Sequence, residues 1–277
     1  MKHAEGTFFG VRGTQIYYQS WLPEGDSRAV ILIVHGLGEH CGRYMNLVNH
    51  LVPRGYAVYG FDHIGHGKSE GVREFVKRFE DYTDNLTIYL QMVKTEQPDK
   101  PVFLIGHSMG GLISSYYLLD NSDDFDGAVI SGPAITVPEN ITPGTITTAK
   151  LLSKIVPKLG MLQLDANDIS RDPEVVRVYL DDPLVFNNKT PVRLMAECLK
   201  AMIRVNEEME KISLPLLLVH GSEDRLAPPI GSKNLYQRAG SEEKTLKVYE
   251  GLYHEVFNEP EHEQVLDDLA AWFDALL

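Results

Sequence analysis

Short apolar runs alternate along the chain with segments in which apolar residues recur at helical spacing. The runs predict strands at TQIYYQSW (14–21), AVILIVHG (29–36), YAVYGFD (56–62), PVFLIG (101–106), GAVIS (127–131), PLLLVHG (215–221) and TLKVYEG (245–251). A continuous run of β-branched residues, such as 29–36, is typical of a strand that is buried on both faces.

The segments between these runs predict helices. Apolar residues from 44 to 52 recur at i, i+3, i+4, i+7 and i+8, and Gly55 follows where a glycine at a helix C-terminus is expected. Further helices are predicted from about 81 to 96, from the start of MGGLISSYYLLD (109–120), and from about 260 to the end. Strands separated by helices indicate an α/β fold with a mostly parallel sheet and helices on both faces.

The alternation is interrupted between residues 133 and 213. This segment contains helix-like patterns and prolines but no convincing strand. We therefore predict a core made of residues 1–132 and 214–277, with residues 133–213 inserted as a helical cap. The cap would cover the carboxyl ends of the strands, which is where open parallel sheets bind ligands.

Composition and charge exclude several classes of partner and compartment. The 277 residues suit one large domain, or one domain with a sizeable insertion. The net charge of −13 disfavours nucleic acid, whose phosphates it repels. The two cysteines do not form a disulfide framework, and we see neither a signal-peptide run nor a membrane-spanning stretch. The sequence predicts a cytoplasmic protein; its oligomeric state is not predicted.

Ser108 lies in a nucleophile-elbow pattern, G-x-S-x-G, between a predicted strand and a predicted helix. The motif reads Gly106-His107-Ser108-Met109-Gly110. A sharp turn between strand and helix exposes the serine hydroxyl, and the helix N-terminus favours developing negative charge nearby. The pattern also occurs by chance in loops, so the interpretation depends on the partners of the serine.

Those partners are predicted in the loops after the last two strands. A serine hydroxyl needs a base, usually histidine, and the histidine needs an acid to orient it. The loop GSEDRLAP offers Asp224, with Glu223 as the alternative acid, and the loop LYHE offers His254. The order serine, acid, histidine is the one expected for this elbow.

Two backbone amides are predicted to stabilise an oxyanion. One belongs to Met109, the residue after the nucleophile, and the other to Leu37 in the loop HGLGEH (35–40). The alternative for this loop is a plain turn between a strand and a helix. His63 and His66 have only loose metal-ligand spacing among glycines, so no metal is predicted.

With these residues identified, the chain resembles the monoacylglycerol lipase and lysophospholipase group of the α/β-hydrolase superfamily. The stretches that match, in order, are HGLGEHCGRY (35–44), DHIGHGKSEG (62–71), GHSMGG (106–111), HGSEDRLAPP (220–229) and KVYEGLYHEVFNE (247–259). The resemblance implies an α/β-hydrolase fold and hydrolysis of a fatty-acyl ester of glycerol under a helical cap, without a cofactor.

The resemblance also implies a polar subsite for the glycerol end of the substrate. It falls on Glu39, Arg43 and Tyr179, although Glu39 and Arg43 could instead pair as surface charges and Tyr179 could belong to the cap core. Some members carry a second histidine shortly after the catalytic one. This chain has Phe257 in that region, so a contact from that histidine is not carried over.

The predicted cap carries a stretch, residues 146–164, that combines aliphatic residues with Lys150, Lys154 and Lys158. A helix with these two faces could make transient contact with a membrane surface. It could equally pack on its own domain, and Pro157 would end or bend it.

Two alternatives to a monoacylglycerol lipase remain. A broader carboxylesterase or lysophospholipase would use the same three residues with a different cap pocket. A non-catalytic lipid-binding protein could retain the fold, although such proteins usually lack part of the triad.

Overall fold

The computed structural model describes residues 1–137, 144 and 151–277, and it contains a central sheet of eight described strands. The strands are β1 (Lys2–Phe9), β2 (Gln15–Leu22), β3 (Ala29–Val34), β4 (Tyr56–Phe61), β5 (Val102–His107), β6 (Gly127–Ser131), β9 (Leu216–Gly221) and β10 (Lys244–Tyr249). Their order across the sheet is β1-β2-β4-β3-β5-β6-β9-β10.

The sheet is mostly parallel, as predicted. Strands β4, β3, β5, β6, β9 and β10 pair in parallel, whereas β1 pairs antiparallel with β2 and β2 pairs antiparallel with β4. The sequence did not predict β1, because this edge strand is largely exposed and has no continuous apolar run. An exposed, polar edge is a common way to limit pairing with other chains.

Helices cover both faces of the sheet. The α-helices that are described over their whole length are α1 (Met45–Leu51), α2 (Glu80–Glu96), α3 (Met109–Asn121), α4 (Pro173–Asp181), α5 (Val192–Glu208), α6 (Ile230–Arg238) and α7 (His262–Ala275). Because side chains alternate along a strand, Val30, Leu32 and Val34 of β3 join the core with α2 and α3. Ile31 and Ile33 join the opposite core with α1 and α7. This two-sided burial explains the continuous apolar runs in the sequence.

Between β6 and β9 the chain leaves the main sheet. This segment includes α4, α5 and a two-stranded antiparallel ribbon of β7 (Gly160–Leu162) with β8 (Thr190–Pro191). The expectation that it holds no strand is therefore wrong, because strands of three and two residues are too short to produce a periodic pattern. Residues 138–143 and 145–150 of the predicted cap lie outside the described residues. The boundaries proposed for core and cap stay a prediction.

The described residues contain no helix that is both long and apolar enough to cross a membrane.

The start of α3 packs directly against the end of β3. A Cβ atom added at Gly110 would lie 2.0 Å from the carbonyl oxygen of Val34 and 2.5 Å from that of His35. Both neighbours are backbone atoms, at the end of β3 and in the residue that follows it, so they cannot move aside cheaply. The absence of a side chain at Gly110 therefore sets the distance between α3 and the sheet.

We expect Gly110→Ala to lower the free energy of unfolding by about 1–3 kcal/mol or more, because the added methyl overpacks this contact. Urea denaturation followed by circular dichroism measures the change. Gly25→Ala is the matched control, because a Cβ atom there would have no neighbour within 4 Å. Equal stability of the two variants would contradict this account of the contact.

Candidate active site

Ser108 occupies the turn between β5 and α3. Its φ is 55° and its ψ is −118°, a region that residues with a side chain rarely adopt. The Ser108 amide donates to the carbonyl of Ser131 over 2.9 Å, and the Ser108 carbonyl accepts from the Ala134 amide at 3.0 Å. A Cβ atom at Gly106 would lie 2.3 Å from Ser114 Oγ, so the turn also needs that glycine. The surrounding backbone holds Ser108 in a strained conformation, as expected for a nucleophile elbow.

Asp224 lies in the loop after β9 and is held by both of its oxygens. Oδ1 accepts hydrogen bonds from the amides of Leu226 and Ala227, both at 2.9 Å. Oδ2 accepts from Nδ1 of His254 at 2.7 Å. Burial by itself raises the pKa of this carboxyl, but the charge of His254 and these donors outweigh it and hold the pKa well below its usual range. Asp224 is therefore the ionised partner of His254, whereas Glu223 is exposed.

His254 lies in the loop after β10 and is buried. Burial lowers its pKa, but the charge of Asp224 and the hydrogen bond to it outweigh burial, so the pKa is raised above its ordinary value. The ring also packs against His107, with 4.6 Å between ring centroids. Burial and the neighbouring His254 lower the pKa of His107 to about 3. His107 is therefore an uncharged neighbour of a ring that gains a proton easily.

One cavity collects most of the predicted site residues. Six of the eight line it: Leu37, Glu39, Arg43, Ser108, Tyr179 and His254. The other two lie next to it, since Asp224 binds His254 and Met109 follows Ser108 as the first residue of α3. The lining also includes three apolar side chains, Leu164, Ile169 and Leu226. Polar and apolar side chains therefore both line the cavity that contains the serine.

The loop after β3 approaches Ser108 closely. A Cβ atom at Gly36 would lie 3.2 Å from Cβ of Ser108. The amide of Gly36 donates to Glu39 Oε1 over 2.6 Å, which fixes the start of the loop. Leu37 comes next and lines the cavity, and the first amides of a helix, such as that of Met109, have no partner within the helix. Both predicted oxyanion donors are therefore in the neighbourhood of Ser108.

Glu39 and Arg43 are paired, as the alternative expectation supposed, but the pair is buried and does not lie on the surface. Arg43 Nη1 donates to Glu39 Oε2 at 2.8 Å. The same guanidinium makes two bonds to Glu255, at 2.6 and 2.8 Å, and lies 4.7 Å from the ring centroid of Tyr179. Glu39 also accepts a hydrogen bond from Tyr44 at 2.7 Å. This buried network links the loop after β3 to the loop that carries His254.

The two carboxyls of the network differ in acidity. Burial raises the pKa of Glu39 above its ordinary value, with only partial compensation from Arg43. For Glu255, burial acts in the same direction, but the two-bond pair with Arg43 outweighs it and lowers the pKa. Glu39 therefore takes up a proton more readily than Glu255.

A family model described as "Serine aminopeptidase, S33" matches residues 25–261. The chain belongs to this family. Its fold is the α/β-hydrolase fold, and the enzyme is a serine ester hydrolase.

Individual relatives of this serine hydrolase are similar over nearly their whole length. A monoacylglycerol lipase of Mycolicibacterium smegmatis is 39% identical over 273 residues, covering 97% of this chain and 96% of the relative. A monoglyceride lipase of Rattus norvegicus is 36% identical over 263 residues, covering 94% and 87%. The crystal structure of a Paleococcus ferrophilus monoacylglycerol lipase superimposes with a TM-score of 0.83 and 32% identity, covering 100% of both chains.

Three residues of the serine hydrolase site were not predicted from the sequence. Glu255 binds Arg43, His107 packs on His254, and His220 lies 3.0 Å from Asp224 through its Nε2 atom. Glu255 directly follows His254 and His107 directly precedes Ser108, so adjacency to a motif residue was the available signal. Phe257 is buried near His107, with 6.5 Å between the ring centroids.

His63 and His66 are buried in the loop after β4. His35 Nε2 accepts from the amide of His63 at 2.9 Å, and His63 Nε2 bonds the carbonyl of His35 at 3.0 Å. Burial lowers the pKa of His63 to about 3 and that of His66 to about 4, so both are neutral. These contacts join the loops after β3 and β4.

We expect Arg43→Leu to lower the free energy of unfolding by about 3–5 kcal/mol, because it leaves the carboxyls of Glu39 and Glu255 buried without a cation. Urea denaturation measures this loss at neutral pH. Arg177→Leu is the matched control, because Arg177 is exposed and its partners Glu174 and Asp181 keep their water. Similar midpoints for the two variants would show that the buried network does not stabilise the fold.

Proposed function

We propose that the protein hydrolyses monoacylglycerols to glycerol and free fatty acid. The observation that carries the proposal is the hydrogen bond between Asp224 and His254, in a cavity that Ser108 lines together with polar and apolar side chains. The similar proteins from Mycolicibacterium smegmatis and Rattus norvegicus, named for this substrate, support the same choice. No cofactor takes part in the proposed reaction.

In the first half of the reaction, the Ser108 hydroxyl attacks the ester carbonyl and His254 takes its proton. Asp224 orients the imidazole and stabilises its charged form. The amides of Leu37 and Met109 donate to the oxyanion that forms on the carbonyl oxygen. The tetrahedral species then collapses, the bond to the glycerol oxygen breaks, and His254 returns the proton to the departing alcohol.

In the second half, water attacks the acyl-serine. His254 takes a proton from the water, and the same amides stabilise the second oxyanion. The fatty acid leaves as Ser108 regains its proton from His254. The raised pKa of His254 suits this cycle, because the ring gains and returns one proton in each half.

The polar side chains that line the cavity suit the glycerol end of such a substrate. Burial raises the pKa of Tyr179 above its ordinary value, so its hydroxyl stays protonated and can donate a hydrogen bond. Glu39 and Arg43 present charges whose positions are fixed by their own pairing and by Glu255. The proposed subsite for the glycerol end therefore consists of Tyr179, Glu39 and Arg43. The apolar residues that line the same cavity would contact the start of the acyl chain.

We expect Ser108→Ala to fold normally and to lose at least about 10³-fold in kcat/KM with monoacylglycerol, because the nucleophile is gone. A fluorophosphonate should label the unaltered protein once per chain and leave Ser108→Ala unlabelled. Ser115→Ala is the control, since Ser115 lies on the same helix and is fully buried away from the cavity. Undiminished turnover by Ser108→Ala would refute the proposal.

The substrate class is decided by a panel measured with the same protein. Monoacylglycerols of increasing chain length are compared with p-nitrophenyl esters and lysophosphatidylcholine. The proposal expects the highest kcat/KM for monoacylglycerol. A higher value for lysophosphatidylcholine, or equal values for all esters, would favour the broader esterase or lysophospholipase.

The second part of the proposal is transient docking on membranes, where long-chain monoacylglycerols are dissolved. Apolar side chains of the segment between β6 and β9 are exposed, namely those of Leu151, Ile155, Leu159, Met161 and Leu162. Lys154 and Lys158 are exposed beside them, and residues 151–155 are helical. Ile146 and Lys150 of the same stretch lie outside the described residues. An exposed apolar group with flanking lysines suits a lipid surface.

We expect the double variant Ile155→Glu and Leu159→Glu to bind phosphatidylcholine vesicles about tenfold more weakly or worse, because two apolar side chains no longer enter the lipid. Vesicle co-sedimentation measures binding, and kcat/KM with a soluble p-nitrophenyl ester should not change. Ile230→Glu alters an exposed apolar residue on α6 and is the control. If the double variant binds vesicles as well as the unaltered protein does, this surface does not dock on membranes.

A further inference from the structure

Asp224 receives hydrogen bonds from two imidazoles. Besides His254, His220 at the end of β9 places its Nε2 atom 3.0 Å from the same oxygen, Oδ2. That nitrogen also lies 2.8 Å from the carbonyl oxygen of Ala227. Both side chains, of His220 and of Asp224, are fully buried, so water does not compete for these bonds.

The neighbours of His220 determine where its proton lies. The ionised Asp224 and the Ala227 carbonyl are acceptors only, so Nε2 must carry a hydrogen that is shared between them. The Nδ1 atom lies 2.7 Å from the hydroxyl oxygen of Ser232, which is fully buried on α6. With the ring hydrogen on Nε2, the Nδ1 atom accepts from this hydroxyl, which donates its hydrogen. Ser232 thus donates to His220, and both His220 and His254 donate to Asp224.

The two oxygens of Asp224 are held in different ways. The loop amides of Leu226 and Ala227 bind Oδ1, while Oδ2 is shared between the rings of His220 and His254. The side-chain torsion that rotates an aspartate carboxylate is broad and weakly constrained. His220 lies on a strand and Ser232 lies on a helix, so these two residues hold Oδ2 of Asp224 from regular secondary structure. The amides that bind Oδ1 belong to a loop.

We propose that His220 is a positioning residue of the catalytic centre, which fixes the carboxylate of Asp224 and disperses its charge so that His254 is neither misaligned nor overly basic. This inference rests on the proposed function, since it assigns His220 through the roles of Asp224 and His254. It assigns to Ser232 the role of holding the His220 ring in the tautomer that donates to Asp224.

The proposal predicts a change in the pH dependence of the reaction. Without the His220 donor, the negative charge of Asp224 acts more strongly on His254 and raises the pKa of His254 further. The base must be unprotonated to act, so a higher pKa moves the acid limb of the kcat/KM profile to higher pH. The other charged or titratable groups around His254 stay in place in such a variant. Glu39 and Glu255 raise its pKa, His107 packs on its ring, and Arg43 lines the same cavity.

The decisive comparison is His220→Leu against His220→Gln in the full-length protein, with a soluble p-nitrophenyl ester as substrate. We expect His220→Leu to lose about 10- to 100-fold in kcat with little change in KM, and its acid limb to move upward by roughly half a pH unit or more. The Gln side chain can still donate to Oδ2, so His220→Gln should recover most of the rate and the original acid limb. An unchanged kcat and pH profile in His220→Leu would overturn the proposal.

Two further variants separate positioning from loss of stability. Ser232→Ala retains the ring but not the donor to Nδ1, and we expect a smaller upward shift of the acid limb. If His220→Leu does not fold, a pH profile for Ser232→Ala identical to that of the unaltered protein overturns the proposal.

His66→Gln changes a buried histidine that bonds the Ile64 carbonyl, and the acid limb of its pH profile should stay unchanged. An equal shift in His66→Gln would assign the effect to general destabilisation and contradict positioning.

The result for Ser108→Ala distinguishes a failure of the proposed function from a failure of the role proposed for His220. If Ser108→Ala is inactive and His220→Leu has unaltered kinetics, the proposed function stands and the role of His220 falls. If Ser108→Ala retains full activity, the proposed function itself fails.

Discussion

The turn at Ser108 depends on two positions without side chains. Gly106 and Gly110 allow α3 to begin immediately after β5 and to pass against the backbone of β3. Because of that approach, the loop after β3 lies beside the serine, with Gly36 in near contact. The parallel pairing of β5, β6, β9 and β10 brings the loops that carry Asp224 and His254 to the same edge of the sheet. The elbow thus determines which backbone amides and side chains lie close to the Ser108 hydroxyl.

Buried charges hold that edge together. Arg43 joins the loop after β3 to the loop after β10 through Glu39 and Glu255. Asp224 joins the loop after β9 to His254, and the charge of this aspartate outweighs burial in setting the basicity of the ring. Charges without water are costly unless their partners are fixed in place. The same residues that create a proton-accepting histidine therefore also restrain the loops around the cavity.

Proteins similar to this chain are named for monoacylglycerol, and we propose that the cavity takes an ester with a polar and an apolar end. In the proposed polar subsite, Arg43 is already paired with both Glu39 and Glu255. Under the proposed function, a substrate hydroxyl would meet this charge pair, already held in place, and a protonated Tyr179. Pre-organised polar groups of this kind need little rearrangement when a ligand binds.

The sequence alone was sufficient to predict the fold class. The elbow motif and the loops after two strands predicted Ser108, Asp224 and His254 as site residues, and the structure brings His254 into contact with Asp224. Strands buried on both faces leave continuous apolar runs, and the elbow needs glycines at set positions, so both features are local and can be recognised in the chain. The edge strand β1 and the ribbon of β7 and β8 were missed, because an exposed strand and very short strands leave no periodic apolar pattern.

Only the tertiary structure revealed the pairing of Arg43 with Glu255, the packing of His107 on His254 and the contact of His220 with Asp224. It also favoured Asp224 over its neighbour Glu223, which is exposed. A hydrogen bond between side chains depends on distances of a few tenths of an ångström. Those distances are set when separate strands and loops pack together, and no local pattern of residue types encodes them.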